Sequence, residues 1–196
     1  MGRLLSLLCT AYRDLHARRI VRATSSEDTI TEEWFVHICL RWRQADCFGL
    51  VPVQQKQDKT RAKPVGRPPT IDFCFRDVFS RESYFGVECK LLDEGNHGHL
   101  KAYLDDSEGM GRFLSGKYAA STSAGSMVGY VRRGACSVVA RELAKGVVGL
   151  KERPKLEKSS LIPDFGQLYQ SKHDRSFGQS PFLCFHLLLA FESAAA

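Results

Sequence analysis

Two short apolar segments joined by a polar connection dominate the middle of the chain, in the sequence TIDFCFRDVFSRESYFGVECKLL of residues 70–92. The first segment, residues 71–75, is rich in aromatic side chains, and the second, residues 84–92, is rich in Phe, Val and Leu. Short apolar runs bounded by polar residues are typical of β-strands. The pattern predicts a β-hairpin that brings Asp72 of the first strand beside Glu88 of the second.

The charged residues of this hairpin are predicted to converge. Glu88 and Lys90 flank Cys89, so a strand sends both charged side chains to one face and the thiol to the other. Charges on an otherwise apolar strand cost free energy unless they are paired or hold a metal. The carboxylates of Asp72 and Glu88 and the backbone carbonyl of Cys89 are suitable ligands for Mg²⁺ or Mn²⁺, and Lys90 can orient an attacking water or help to deprotonate it. The alternative is a Glu–Lys pair on a solvated strand face.

Asp72, followed after a hairpin by Glu88-Cys89-Lys90, resembles the active-site motif of the PD-(D/E)XK (restriction-endonuclease-like) nuclease superfamily. The chain departs from the literal Pro-Asp pair, because its prolines stand earlier, at positions 68 and 69. The resemblance implies an α/β fold with a restriction-endonuclease-like core, in which helices flank a central mixed β-sheet. It also implies a Mg²⁺-dependent endonuclease that hydrolyses phosphodiester bonds of nucleic acid, with DNA as the first-choice substrate.

In this superfamily the helix ahead of the sheet often lends a further acid to the metal site. Glu27, Asp28 and Glu33 are the candidates by position, and Glu27 is the residue that we expect to join the site. In the alternative interpretation these acids have no catalytic role, because acids in the first turn of a helix interact favourably with the helix dipole. The helix itself is predicted over residues 30–43, with a capping box formed by Thr29 and Glu32.

The length of 196 residues fits one domain, residues 1–196, with an N-terminal amphipathic helix in residues 1–24 and a core in residues 25–191. An excess of 28 Lys and Arg over 22 Asp and Glu suits a polyanionic partner, although ordinary basic solubility explains it equally well. Seven dispersed cysteines indicate free thiols in a reducing compartment. No apolar run reaches membrane-spanning length, so we expect a soluble cytoplasmic protein without a membrane partner.

Several residues are candidates for contacts with nucleic-acid phosphates. Residues 47–53 are predicted to form an edge strand, because Pro52 excludes a central position, and a basic loop follows over residues 54–69. A helix is predicted near residues 100–107, on which Lys101 and Tyr103 could face the cleft. The candidates for phosphate contacts are Lys56, Lys59, Arg61, Lys101, His173 and Arg175.

The second half of the chain predicts a central strand over residues 126–131, a helix over 135–148 and a last strand over 181–191. Residues 111–117 fit the P-loop pattern G-x-x-x-x-G-K, but Tyr118 stands where the motif needs Ser or Thr, and no strand precedes it. We expect a helix end and a glycine-rich loop there. A P-loop nucleotide hydrolase would instead require nucleotide binding that depends on Lys117.

The S-x-H-x-R spacing around His173 and Arg175, with His186 in the closing strand, resembles endonuclease-like proteins encoded among bacterial phage-defence and mobile-element genes. The resemblance implies a role in anti-phage defence. His186 either reaches the cleft or is a satisfied core residue. Two functions stay open: a metal-dependent nuclease, and a non-catalytic nucleic-acid-binding or adaptor subunit with a nuclease-like fold. Either could act with a protein partner or as a homo-oligomer.

Overall fold

The computed structural model describes residues 1–45, 49–57, 70–79, 84–150, 153–178 and 180–191. The chain begins with two helices, α1 (Gly2–Arg18) and α2 (Glu27–Trp42). Ser26 caps α2, because its Oγ accepts a hydrogen bond from the backbone N–H of Thr29 at 3.2 Å. The predicted capping box at Thr29 was therefore wrong, and the helix begins one turn earlier than its apolar periodicity indicated.

Among the described residues, seven strands form a single mixed sheet, which confirms the predicted α/β class. The strands are β1 (Leu50–Gln57), β2 (Thr70–Asp77), β3 (Tyr84–Leu91), β4 (Ala124–Val131), β5 (Leu156–Lys158), β6 (Leu168–His173) and β7 (Phe182–Ala190). The strands lie in the order β1-β2-β3-β4-β7-β6-β5. β4 runs parallel to both of its neighbours, β3 and β7, whereas all other neighbouring strands are antiparallel.

Three strand predictions need correction, although the hairpin of β2 and β3 and the central position of β4 are confirmed. β1 is an edge strand, as Pro52 indicates, but it continues to Gln57 into the segment that was predicted to be a loop. β5 and β6 were not predicted as strands, because their short sequences carry many charged and polar residues. They complete the far edge of the sheet next to β7.

Helices cover both faces of the sheet, each over its own hydrophobic core. On one face α1 and α2 pack against strand residues such as Phe73 and Phe185, and Trp34 of α2 lies edge-on to Phe73 at 5.4 Å. On the other face lie α3 (His97–Leu104), α4 (Gly111–Leu114) and α5 (Cys136–Val148). α3 and α4 carry the chain from β3 to its parallel neighbour β4, as βαβ connections require.

The described cysteines are all free thiols, as predicted, and Cys47 lies outside the described residues. Four of the six described thiols are buried, and burial raises the pKa of the Cys9 thiol to about 12. They therefore behave as small apolar side chains of the two cores. Over the part of the chain that the structure describes, no helix combines the length and the apolar character needed to cross a membrane.

Candidate active site

The antiparallel ladder between β2 and β3 gives way to a side-chain contact at Asp72. The ladder pairs Phe73 with Val87, and beyond this pair Asp72 Oδ2 accepts a hydrogen bond from the backbone N–H of Cys89 at 2.7 Å. On the β1 side, Gln55 lies between the pairs that flank Asp72 and has a left-handed φ of 48°. The irregular backbone thus turns the Asp72 carboxylate toward the Glu88-Cys89-Lys90 segment.

Glu88 is the most deeply buried charged group of this cluster, with 2% of its surface exposed. Its Oε1 lies 3.4 Å from Lys90 Nζ and 3.6 Å from Arg112 Nη1. Its Oε2 is buried and has no hydrogen-bond partner among the described residues. Burial, and next the nearby Asp72 carboxylate, raise the pKa of Glu88 to about 8, although Lys90 and Arg112 oppose this rise.

The pKa of Asp72 is also raised, but by less than that of Glu88. Burial raises the pKa of Asp72 to about 6, while the Lys90 charge and the hydrogen bond from Cys89 act in the opposite direction. Two neighbouring carboxyl groups with raised pKa values resist simultaneous ionisation unless positive charge is supplied. A pair of this kind is typical of functional sites.

Lys90 supplies part of that charge. Its ammonium lies 3.1 Å from Glu27 Oε1, 3.0 Å from the carbonyl oxygen of Cys89 and 3.4 Å from Glu88 Oε1. Burial alone lowers the pKa of Lys90, but the carboxylates of Glu88, Glu27 and Asp72 outweigh it, so the pKa is raised. A protonated ammonium donates hydrogen bonds and accepts no proton. Of the two roles predicted for Lys90, orienting a water fits this state and deprotonating it does not.

Glu27, the first residue of α2, reaches the same cluster. Its Oε1 accepts a hydrogen bond from Lys90 Nζ, and its Oε2 accepts one from the backbone N–H of Leu91 at 2.8 Å. Glu27 therefore joins the site as a partner of Lys90, whereas Asp28 is exposed. Within the described residues, no group of three or more His, Cys, Asp and Glu side chains is arranged to hold a metal. Both Glu27 oxygens accept hydrogen bonds from the protein, which leaves Asp72, Glu88 and the Cys89 carbonyl as the other predicted oxygen ligands.

Sequence reasoning missed Arg112, which α4 brings to Glu88. Arg112 donates hydrogen bonds to the Ser107 carbonyl through Nε, at 2.5 Å, and to the Tyr118 hydroxyl through Nη1. The Tyr118 hydroxyl in turn donates to the carbonyl of Thr70 at the start of β2. The only signal was that Arg112 lies inside the G-x-x-x-x-G-K segment. The lysine of that segment, Lys117, donates to the Asp106 carbonyl.

Two of the predicted phosphate contacts are corrected by their burial. His173 is 3% exposed and shares a hydrogen bond of 2.7 Å with Ser171 Oγ. Arg175 is 7% exposed, stacks on Phe182 and donates to backbone carbonyls of the segment 113–122. Both side chains are occupied in the interior, where no phosphate reaches them.

The remaining residues that were expected to face the cleft or to contact phosphates lie in several different places. Tyr103 does not face a cleft, because it is fully buried and its hydroxyl hydrogen-bonds to His186 Nδ1 at 3.0 Å. His186 is thus a satisfied core residue, the second of its two interpretations. Lys101 is exposed on α3. Lys59 and Arg61 lie outside the described residues, as does the side chain of Lys56, whose backbone belongs to β1.

No family model matches the chain, and no curated protein or solved structure matches it. The class that the structure defines is an α/β fold with a seven-stranded mixed sheet flanked by helices. The cluster of Asp72, Glu88, Lys90, Glu27 and Arg112 lies at one point of this sheet, where β2 and β3 approach the beginning of α2 and the short helix α4.

Proposed function

We propose that this protein is a metal-dependent nuclease with a restriction-endonuclease-like core, which hydrolyses phosphodiester bonds of nucleic acid, preferably DNA. The observation that carries the proposal is the buried Glu88 carboxyl, which lies beside Asp72 and Lys90 and has one oxygen without a hydrogen-bond partner in the described part of the chain. The order of the elements agrees with it: a helix, three antiparallel strands, a helical crossover and a parallel strand.

The residues present fit a hard divalent cation. Asp72, Glu88 and the Cys89 carbonyl offer oxygen atoms, which Mg²⁺ and Mn²⁺ prefer to nitrogen or sulfur. Positive charge at this position would stabilise both carboxylates, and the cation would give the unpartnered Oε2 of Glu88 a binding partner. When bound, a divalent ion supplies an acidified water and neutralises charge on the phosphate.

The protein's own side chains contribute positioning and charge. Glu27 fixes Lys90 by accepting one of its hydrogen bonds while it also holds the backbone of β3. The positive charge of the Lys90 ammonium, held in this way, would stabilise negative charge as it develops on the phosphate. Glu88 must lose its proton before it can act as a ligand, so the affinity of the metal-free protein for the ion should rise with pH up to about 8.

A non-catalytic nucleic-acid-binding or adaptor subunit is the second candidate. It is favoured by the contacts that Glu88 already makes, since Lys90 and Arg112 both approach its Oε1. The absence of a three-residue metal group among the described side chains points the same way. In this case the charged cluster would hold α2, α4 and the sheet together, and nucleic acid would bind without being cut.

Cleavage assays with matched variants separate the two candidates. Supercoiled plasmid, linear duplex, single-stranded DNA and RNA are incubated with Mg²⁺, Mn²⁺ or EDTA. We expect metal-dependent cutting by the wild type that is lost in Asp72→Asn and in Lys90→Ala. The exposed residues Asp164 and Lys145 provide the controls Asp164→Asn and Lys145→Ala, which should cut normally. Binding without cutting under every condition would favour the adaptor function.

Calorimetric titration with Mg²⁺ in the absence of nucleic acid provides an independent test of the site. The wild type should bind the ion with release of protons below about pH 8, because at least one carboxyl group is protonated beforehand. Asp72→Asn should bind at least tenfold more weakly, whereas Asp164→Asn should match the wild type. Equal affinities in all three proteins would refute the assignment of Asp72 and Glu88 as ligands.

A further inference from the structure

Two cations contact Glu88, and they differ in how many hydrogen-bond donors they have left. The Lys90 ammonium has three N–H groups, and three oxygen atoms surround it within 3.4 Å. The Arg112 guanidinium has five N–H groups, of which those on Nε and Nη1 face the Ser107 carbonyl, the Tyr118 hydroxyl and Glu88. Its Nη2 has no hydrogen-bond partner among the described residues.

The Arg112 guanidinium is also held in place before any ligand arrives. Its carbon atom Cζ lies 5.2 Å from the centre of the Tyr118 ring, so the group is stacked as well as hydrogen-bonded. The turn ahead of it is too tight for side chains, because a Cβ on Gly109 would lie 2.2 Å from a backbone carbonyl of α3. A Cβ on Gly111 would lie 2.0 Å from Asp106 Oδ1. A rigid donor loses little conformational entropy when it binds a ligand.

The electrostatics of the cluster require such a donor. Once Asp72 and Glu88 are ionised, they and Glu27 repel a phosphate, while the Lys90 ammonium is engaged by oxygen atoms of the protein. The Arg112 side chain is 22% exposed, so part of it is accessible to a ligand next to the carboxylates. A planar guanidinium edge matches the oxygen atoms of a phosphate better than an ammonium does.

We propose that Arg112 binds a non-bridging phosphate oxygen of the nucleic-acid strand through Nη2 and so positions the backbone over Asp72 and Glu88. This inference rests on the proposed function, because it assumes a phosphodiester substrate at the carboxylates. Arg112 is then a substrate-binding residue, and α4 is the element that presents it. The contact replaces no existing hydrogen bond, so it adds to the affinity for the strand.

Binding of short fluorescent duplex and single-stranded DNA is measured with Ca²⁺ in place of Mg²⁺, over a range of salt concentrations. Arg112→Gln is compared with Arg18→Gln, an equal change of charge at an exposed position on α1. We expect Arg112→Gln to bind about tenfold more weakly. The slope of log affinity against log salt should fall by about 0.9 for duplex or about 0.7 for a single strand, as for one lost phosphate contact. Arg18→Gln should keep the wild-type slope.

Arg112→Lys guards against an effect of misfolding. It keeps the charge, so it should retain the wild-type salt slope while binding several-fold more weakly, and its thermal melt should resemble that of the wild type. In cleavage assays with Mg²⁺, Arg112→Gln should raise KM more than it lowers kcat. A wild type that binds and cuts, together with Arg112→Gln that keeps the wild-type slope and KM, would overturn this inference alone. A wild type that neither binds nor cuts would overturn the proposed function with it.

Discussion

Replacing Glu88 by glutamine should stabilise the metal-free protein, and by more as the pH rises. The folded state raises the pKa of Glu88 from 4.5 to about 8, so the folded chain retains a proton that the unfolded chain releases. The stabilisation from this proton is complete below pH 4.5 and is lost as the pH rises to 8. At about 1.4 kcal/mol for each pKa unit, the loss above pH 8 is on the order of 5 kcal/mol, and at pH 7 about 3 kcal/mol.

Glutamine is nearly isosteric with protonated glutamate and does not titrate. Urea denaturation in EDTA at pH 5, 7 and 9 should therefore show Glu88→Gln close to the wild type at pH 5 and more stable than it at pH 9. Asp72 is present in both proteins, so its own titration cancels to first order. Glu157→Gln, at an exposed position of β5, is the matched control and should differ from the wild type by less than about 0.5 kcal/mol throughout.

Adding Mg²⁺ should reduce the stability difference between the two proteins. The wild type gains stability by mass action in proportion to its affinity for the ion, and Glu88→Gln, which has lost a ligand, gains little. A stability difference in EDTA that stays constant from pH 5 to pH 9 would refute the reasoning. It would mean that Glu88 ionises inside the protein as easily as in water, and that its burial beside Asp72 does not poise it for a cation.

Three further changes test the surrounding fold. Ser26→Ala removes the cap of α2 and should lower the free energy of unfolding by about 1 kcal/mol in urea. Burial lowers the pKa of His186 to about 3 and of His173 to about 4, so each histidine should lower stability by up to about 3 kcal/mol between pH 6.5 and pH 4, against the opposite contribution of Glu88. Denaturation at several pH values should show His173→Gln gaining stability relative to the wild type as the pH falls over this range. Gly109→Ala should cost at least about 2 kcal/mol in thermal melts, since its Cβ meets backbone at 2.2 Å, whereas Gly2→Ala, with open space around it, should be neutral.

The local sequence pattern was sufficient to predict the strands that carry the site. The β2–β3 hairpin follows from two apolar runs, and the alternation along β3 separates Glu88 and Lys90 from Cys89. The edge position of β1 follows from Pro52, because a proline lacks the N–H that a central strand needs. These features depend on residues close together in sequence, where spacing and geometry are directly related.

Features that depend on tertiary contacts could not be predicted from the sequence. Arg112 belongs to the site only because the crossover between β3 and β4 returns α4 to Glu88, and no spacing rule encodes that return. The opposite error occurred at Arg175, where a surface contact was expected. Its guanidinium is buried because backbone carbonyls of a distant segment accept its hydrogen bonds. A charged residue alone does not reveal whether the fold supplies such acceptors.

The hydrogen bonds that join Tyr103, His186, Ser171 and His173 impose a direction on their protons. Ser171 has a single hydroxyl hydrogen and lies 2.7 Å from Nε2 of both imidazoles, so it donates to one ring and accepts from the other. Two neutral histidines in this arrangement must be opposite tautomers. If Tyr103 donates to His186 Nδ1, then His186 donates to Ser171, and Ser171 donates to His173. The chemical states of α3, β7 and β6 are thus interdependent, and each proton position determines the next.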